Sequence, residues 1–283
     1  MTVENDATAL FRAIGASRVV DLAQPLEHGM PCSPSHPGFR MALLYRHGDG
    51  PANATGLGDA ELSGAGELIV TGGHVGTHID ALCHAALGGK LHGGHDAFQA
   101  SRGGRFTVHG VETVPPLICR GVLADIPGLL SLPRLPAEFG ITDEHLCAAL
   151  AGARVEPGDA VLVRTGWPQL YADPVAYVGR GSGVPGITES GAKFLAGLGV
   201  RVVGTDTTVT DRTFAGREYH RLPAHGVLLV EHGVYLIEVM NLEELAALTR
   251  SDFLFLAAPL RITGATGSPI RPLAVLYGEG EAR

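Results

Sequence analysis

A mixed α/β fold, α+β in organisation, is predicted by three observations. Short apolar runs rich in β-branched residues recur along the chain, helical signals fall between some of them, and the two do not alternate strictly. The strand-like runs, in order, cover residues 18–22, 67–71, 118–124, 160–164, 200–204, 234–238, 253–257 and 273–277. Each pairs Val, Ile, Leu or Phe with a boundary of Gly, Pro, Asp or Glu, as strands that end in tight turns do. Helix start and stop signals mark 142–150, 188–198 and 242–248. Residues 31–66 are polar and rich in Gly and Pro, too long for a simple connection, and read as a lid or binding loop; 171–186 reads likewise.

Length and composition restrict the function. At 283 residues the chain can bury a full core, as one large domain or two small ones. Apolar residues make up 45% and charged residues 18%, a globular composition. The formal net charge is -8 and Lys90 and Lys193 are the only lysines, so an acidic surface argues against nucleic acid as a partner. No apolar run approaches the roughly 18 residues of a membrane span, and Met1-Thr2-Val3-Glu4-Asn5-Asp6 lacks the basic-then-apolar order of a signal peptide. Cys32, Cys83, Cys119 and Cys147 show no Cys-x-x-Cys spacing and read as free thiols of a cytoplasmic protein.

The chemistry is concentrated in His74-Val75-Gly76-Thr77-His78-Ile79-Asp80-Ala81-Leu82-Cys83-His84, which gathers three imidazoles and a carboxylate. With His92 and His95, five of the chain's 13 histidines fall between positions 74 and 95. Neutral histidine and ionised aspartate are ligands for a catalytic zinc or manganese ion. A regular helix would turn Asp80 roughly 140° away from the face shared by His74 and His78. A regular strand would hold His74 and His78 roughly 13 Å apart. Metal–ligand bonds of about 2.0–2.2 Å therefore demand a bend, and Gly72, Gly73 and Gly76 supply the backbone freedom for it. Val75, Thr77 and Ile79 would pack on the opposite side, with Cys83 as a small buried apolar residue rather than a ligand.

This string resembles the signature of the cyclase family of metal-dependent hydrolases, His-x-Gly-Thr-His-x-Asp-x-x-x-His. The family includes kynurenine formamidase, isatin hydrolase and a zinc-dependent dienelactone hydrolase. Its formamidase form often carries proline where this chain has Leu82. Further resemblance lies in residues 20–26 with Met30-Pro31, in Val163-Arg164-Thr165-Gly166-Trp167, in Gly204-Thr205-Asp206-Thr207 and in Gly267-Ser268-Pro269-Ile270-Arg271. The resemblance implies a single domain over residues 1–283 with a β-barrel-like core of mixed sheets flanked by helices. It also implies assembly as a homodimer or homotetramer.

A second ligand group is expected near residues 225–238. If residues 225–232 form two helical turns of about 12 Å, Gly233 can end them and residues 234–238 can return as a strand. His225 and Glu238 then meet at one end of the unit, with His220 and His232 as weaker competitors. Family members use a histidine and a glutamate here to complete a second metal position and share the motif aspartate between ions. His74, His78, Asp80, His225 and Glu238 are thus the expected ligands of one or two Zn2+ or Mn2+ ions. Such an ion lowers the pKa of bound water towards about 7. His84 is expected to act as the proton-moving base and acid, a role the resemblance also implies.

Trp167, the only tryptophan, follows a strand and a glycine where a pocket wall could form. Phe39, Phe98 and Tyr171 are weaker candidates. The expected activity is hydrolysis of a small acyl C–N bond, in an arylformamide or an isatin-like cyclic amide. Lactone hydrolysis on the same site, and nonenzymatic binding of a metal or small carboxylate, are the alternatives.

Overall fold

The computed structural model describes residues 15, 17–47, 49, 63–217, 221–248 and 252–276. The middle of the 31–66 segment, the N-terminal residues 1–6, His220 and the last residue of the 273–277 run lie outside them. The strands are β1 (Arg18–Asp21), β2 (Arg40–Tyr45), β3 (Gly66–Val70), β4 (His78–Asp80), β5 (Ser101–Arg102), β6 (Arg105–Phe106), β7 (Leu117–Asp125) and β8 (Gly140–Ile141). They continue with β9 (Ala160–Arg164), β10 (Gly186–Ile187), β11 (Val202–Thr205), β12 (Tyr235–Glu238), β13 (Asp252–Ala257), β14 (Gly267–Pro269) and β15 (Leu273–Leu276).

Nine of these form one sheet in the order β1-β15-β13-β7-β9-β11-β12-β4-β14, curled into a half-barrel. The middle four, β7, β9, β11 and β12, run parallel, and every other pairing within this sheet is antiparallel. The mixed α/β class and the barrel-like core are as expected.

Side chains alternate across this sheet and divide the interior in two. Ala160 and Leu162 of β9, Val202 of β11 and Ile237 of β12 face one core with Val20, Phe253, Phe255 and Ala274 of the antiparallel strands. Val161, Val163, Val203 and Leu236 face the other, which the helices cover. The helix Asp143–Leu150 contributes Leu146 and Leu150, and the helix Glu189–Gly197 contributes Ala192 and Leu195. The second of these starts where Thr188 Oγ1 accepts from Gly191 N, satisfying one of the first-turn donors. Burying each such leucine stabilises the layer by about 1.5–3 kcal/mol.

The strand and helix runs predicted from sequence fall on these elements with ends shifted by one or two residues. Two long loops were expected, and both contain structure. The 31–66 segment holds β2, which pairs antiparallel with β3. The 171–186 segment contains the helix Pro174–Val178, capped by Asp173 accepting from Val175 N and Ala176 N. Strand patterning missed β2 because none of its residues is fully buried, so no face alternation marks it.

Candidate metal centre

Parallel strands end together, and ligands gather beyond their carboxyl ends. Here β12 ends at Glu238, and the antiparallel β4 begins beside it at His78. The register pairs Glu238 with His78 and Leu236 with Asp80, so all four side chains point to the helix-covered face. Ile79 and Ile237 point the other way into the core.

The preceding residues 73–77 make the expected bend. Gly76 has φ +66, and a Cβ there would lie 2.5 Å from Leu26 Cδ2, so neither backbone nor space tolerates a side chain. Gly267 of β14 lies opposite Asp80, and its missing side chain is where the His74 ring sits; a Cβ would fall 2.6 Å from His74 Cε1. The glycine of the closing family segment thus admits the first motif histidine. Val75, Thr77, Ile79 and Cys83 are buried, as expected.

Two histidines present Nε2 inward, each fixed by what its Nδ1 touches. His78 Nδ1 lies 2.8 Å from Gly76 O, which only accepts, so Nδ1 carries the proton. His225 Nδ1 lies 2.6 Å from Asp211 Oδ2, and the same carboxylate accepts from Ala224 N and His225 N. Asp211 therefore holds both the ring and the start of its helix.

Two carboxylates bridge these histidines. His78 Nε2 is 3.6 Å from Asp80 Oδ1 and 3.5 Å from Glu238 Oε2. His225 Nε2 is 3.5 Å from Asp80 Oδ2 and 3.5 Å from Glu238 Oε1. Each carboxylate thus offers one oxygen to each histidine. These separations exceed those of good hydrogen bonds, whereas donors sharing a tetrahedral ion at about 2.1 Å lie roughly 3.4 Å apart. Asp80 Oδ2 is fully buried and has no hydrogen-bond partner. The donor set, its spacing and this orphaned oxygen all fit a divalent cation.

The remaining motif histidines flank the pair. His74 Nδ1 lies 2.7 Å from Asp80 Oδ1, and its Nε2 lies 2.8 Å from Thr266 Oγ1. The His84 ring stacks on His74 at 4.0 Å between centroids and lies 6.0 Å from that of His225. Among the described residues, two groups of donor atoms are compact enough to hold an ion, His74–His78–Asp80 and Asp80–His84–His225, and Asp80 belongs to both.

Burial and mutual charge set the protonation. Burial would raise the Asp80 pKa, but His84, His225 and His74 hold it well below the ordinary carboxylate range. Burial and the Asp80 charge push Glu238 up to about 7. Burial pulls His78 down to about 4 and His84 down to about 3, so both imidazoles are neutral at neutral pH. Burial would lower His225 too, yet Asp211, Asp80 and Glu238 raise it well above the usual value. Three carboxylates around one imidazole demand a positive charge there.

His74, His78, His84, His225 and Glu238 line a cavity of about 120 Å³ that also includes His36, Ser33, Ser35, Thr208 and Val209, with Asp80 buried behind them. It shares His84, Leu222 and His225 with a larger cavity of about 900 Å³, lined also by Thr188, Arg212 and Phe214. Trp167 lines neither. It is 3% exposed, donates from Nε1 to Tyr177 O and packs with Tyr177, Val184 and Val239. Val239 takes the wall position expected of the tryptophan, with Trp167 behind it. His92 and His95 stand apart beside His109.

Sequence reasoning missed Asp211 and His36. The chain places Asp211 five residues after Asp206 of a quoted family segment, and that proximity was its only signal. His36, whose ring lies 5.4 Å from that of His74, sits in the polar segment read as a lid.

Comparison with known proteins identifies this architecture. The Cyclase family matches residues 20–212, a span that ends before His225 and Glu238. An isatin hydrolase of Roseibium aggregatum is 28% identical over 212 residues, which cover 74% of this chain and 73% of that protein. The crystal structure of a novel cyclase superposes with a TM-score of 0.83 at 28% identity, covering 97% of this chain and 93% of its own. Isatin hydrolase A from Ralstonia solanacearum superposes with a TM-score of 0.73 at 25% identity, covering 98% of each chain. The chain belongs to the cyclase family and is a metal-dependent hydrolase.

Proposed function

We propose that the enzyme hydrolyses the acyl C–N bond of a small arylformamide or isatin-like cyclic amide, with two divalent ions, Zn2+ or Mn2+, in its centre. One observation carries this reading: Asp80 and Glu238 each direct one oxygen to His78 and the other to His225. The kinship to isatin hydrolases supports the amide class. His74 and His78 would hold one ion and His225 the other, with both carboxylates shared.

When bound, such ions polarise the acyl oxygen and lower the pKa of water at the site. The protein's own residues supply the rest. Asp211 and the Gly76 carbonyl keep the two Nε2 atoms aimed inward. His84, neutral and half-buried, faces the cavity beside His74 and takes the proton of the attacking water. The same imidazolium then returns a proton to the leaving nitrogen. A neutral amide and water thus become a carboxylate and an amine or anilide N–H, with one proton released to solvent. The cavity's small volume leaves room for little beyond the reacting group.

The test is isatin ring opening followed by absorbance after chelation and then reconstitution with Zn2+ or Mn2+. Activity should vanish and return with about two ions per chain. Unchanged activity in the chelated protein would overturn the reading.

Two further parts of the proposal concern the setting. The four free cysteines support a reducing, cytoplasmic compartment. Homodimer or homotetramer assembly is supported by the β2–β3 hairpin, where Met41, Leu43, Leu44, Leu68, Ile69 and Val70 are each more than 40% exposed. A two-stranded ribbon exposed this widely is marginally stable alone. Light scattering at micromolar concentration checks it.

A further inference from the structure

The larger cavity contains a cation that the catalytic reading does not use. Arg212 follows directly on Asp211, the residue that holds His225. Its guanidinium is seated by packing rather than by an anion. Phe214 lies on one side, with Cζ 4.7 Å from the ring centroid. Gly140 lies close by as well: a Cβ there would fall 2.7 Å from Arg212 Nη1, so the glycine makes room for the group. The backbone is fixed too, with Arg212 N donating to Ile187 O at 3.3 Å.

Among the described residues this half-buried side chain has no ion pair and no acceptor for its five N–H donors. The half-buried Arg120 is paired with Asp159, and the more deeply buried Arg164 has carboxylate partners as well. Arg164 donates to both Glu243 and Asp125, which is how a folded protein ordinarily offsets the desolvation of a guanidinium. An unpaired guanidinium held in place by an aromatic face and a glycine is pre-organised for an incoming planar oxyanion. Carboxylates do occur in the same wall, at Glu189 and Glu231, but Glu189 is taken up by Lys193 at 2.6 Å.

Size points the same way. The centre's own cavity of about 120 Å³ takes the reacting group, whereas the adjoining cavity of about 900 Å³ is on the scale of small-molecule sites. His84 and His225 line both, so a substrate bound at the centre extends past them towards Arg212.

We propose that the substrate is an anion, carrying a carboxylate or a comparable oxyanion at the end remote from the scissile bond, and that Arg212 binds this group. The proposal rests on the amide-hydrolase reading and names the substrate class for that site.

Formanilide, 4-formamidobenzoate and 4-formamidophenyl phosphate share the scissile bond and differ at the far end. The metal-loaded wild type should show a kcat/KM about ten- to a hundredfold higher for one or both anions than for formanilide. Arg212→Gln should remove that preference by slowing the anions and leave formanilide within about twofold. Which anion is preferred identifies the oxyanion. Arg212→Lys, which keeps the charge but not the planar fork, should retain part of the preference and guards against a folding defect. Equal kcat/KM for all three substrates in the wild type, or a uniform loss in Arg212→Gln, overturns the proposal. If none of the three is hydrolysed, the amide reading fails instead. Calorimetric binding of 4-formamidobenzoate then decides the anion site: weaker binding to Arg212→Gln by at least about tenfold sustains it, and equal affinity overturns it.

Discussion

Two completely buried aspartates, one just beyond β11 and one in β4 on the other side of β12, are treated in opposite ways. Asp206, just beyond β11, accepts from Thr165 N, Thr165 Oγ1 and Gly166 N, so both oxygens are satisfied by the chain itself. Asp80, in β4, has one oxygen beside His74 and the other with no hydrogen bond. Burial pushes Asp206 up to about 7 despite its donors, because no cation stands beside it. The imidazoles around Asp80 hold its carboxylate ionised against the same burial. A buried carboxylate wrapped in backbone donors joins two loops, whereas one ringed by imidazoles and left incomplete is built for an ion.

The sharpest way to break this comparison is to neutralise each aspartate. Asp80→Asn should lose most bound metal and more than about a thousandfold in kcat, because the shared ligand disappears. Its metal-free stability should fall, since the imidazoles that hold Asp80 ionised lose their counter-charge. Elemental analysis and urea denaturation check both halves. An Asp80→Asn protein with full metal occupancy would refute the site as drawn, whereas Cys83→Ser, on the opposite face, should keep its metal.

A second effect tests the proposed proton-moving role of His84 separately from metal binding. His84→Gln should keep near-normal metal content while kcat falls by about 10²–10⁴-fold. Loss of metal in this variant would make His84 a ligand of the Asp80–His84–His225 group instead.

Glu238→Gln should release one of two ions and keep the one held by His74 and His78. A wild type that saturates with a single ion removes the bridging role of Glu238.

The smallest effect concerns Asp206. Its folded pKa is raised above the unfolded value, so the folded protein binds the extra proton and this contribution is fully present below the unfolded pKa near 4. Stability is lost as pH rises from about 4 to about 7, by at most about 1.4 kcal/mol per pH unit. Asp206→Asn should abolish that slope in metal-free protein and cost about 1–3 kcal/mol, because an amide cannot accept from every donor. A slope unchanged by the substitution would count against this account of Asp206.

These contrasts also explain what was legible in the sequence. The first half of the centre lies within one bend and could be read from residue spacing. The pairing of His225 with Glu238 followed from helix rise, a glycine stop and a returning strand, all of them local. Asp211 and the Arg212 seat depend on how the 206–212 segment folds back over other elements, and no periodicity encodes that. Trp167 failed as a pocket wall because a residue after a strand and a glycine can turn either way, and packing with Tyr177 and Val184 decides.

One last feature bears on how this centre tolerates change. His225 ends the turn Pro223–His225, and Gly226–Glu231 continues it as a π-helix, closed where His232 N donates to Val227 O. A π turn is the footprint of one residue more than an α-helix would need. Deleting a residue between 226 and 231 would restore regular winding and rotate His225 by about 100° relative to β12. The irregular turn is thus a spacer that brings the histidine into phase with Glu238. Shortening it for stability in a redesigned variant would yield a sturdier helix and a dismantled metal centre.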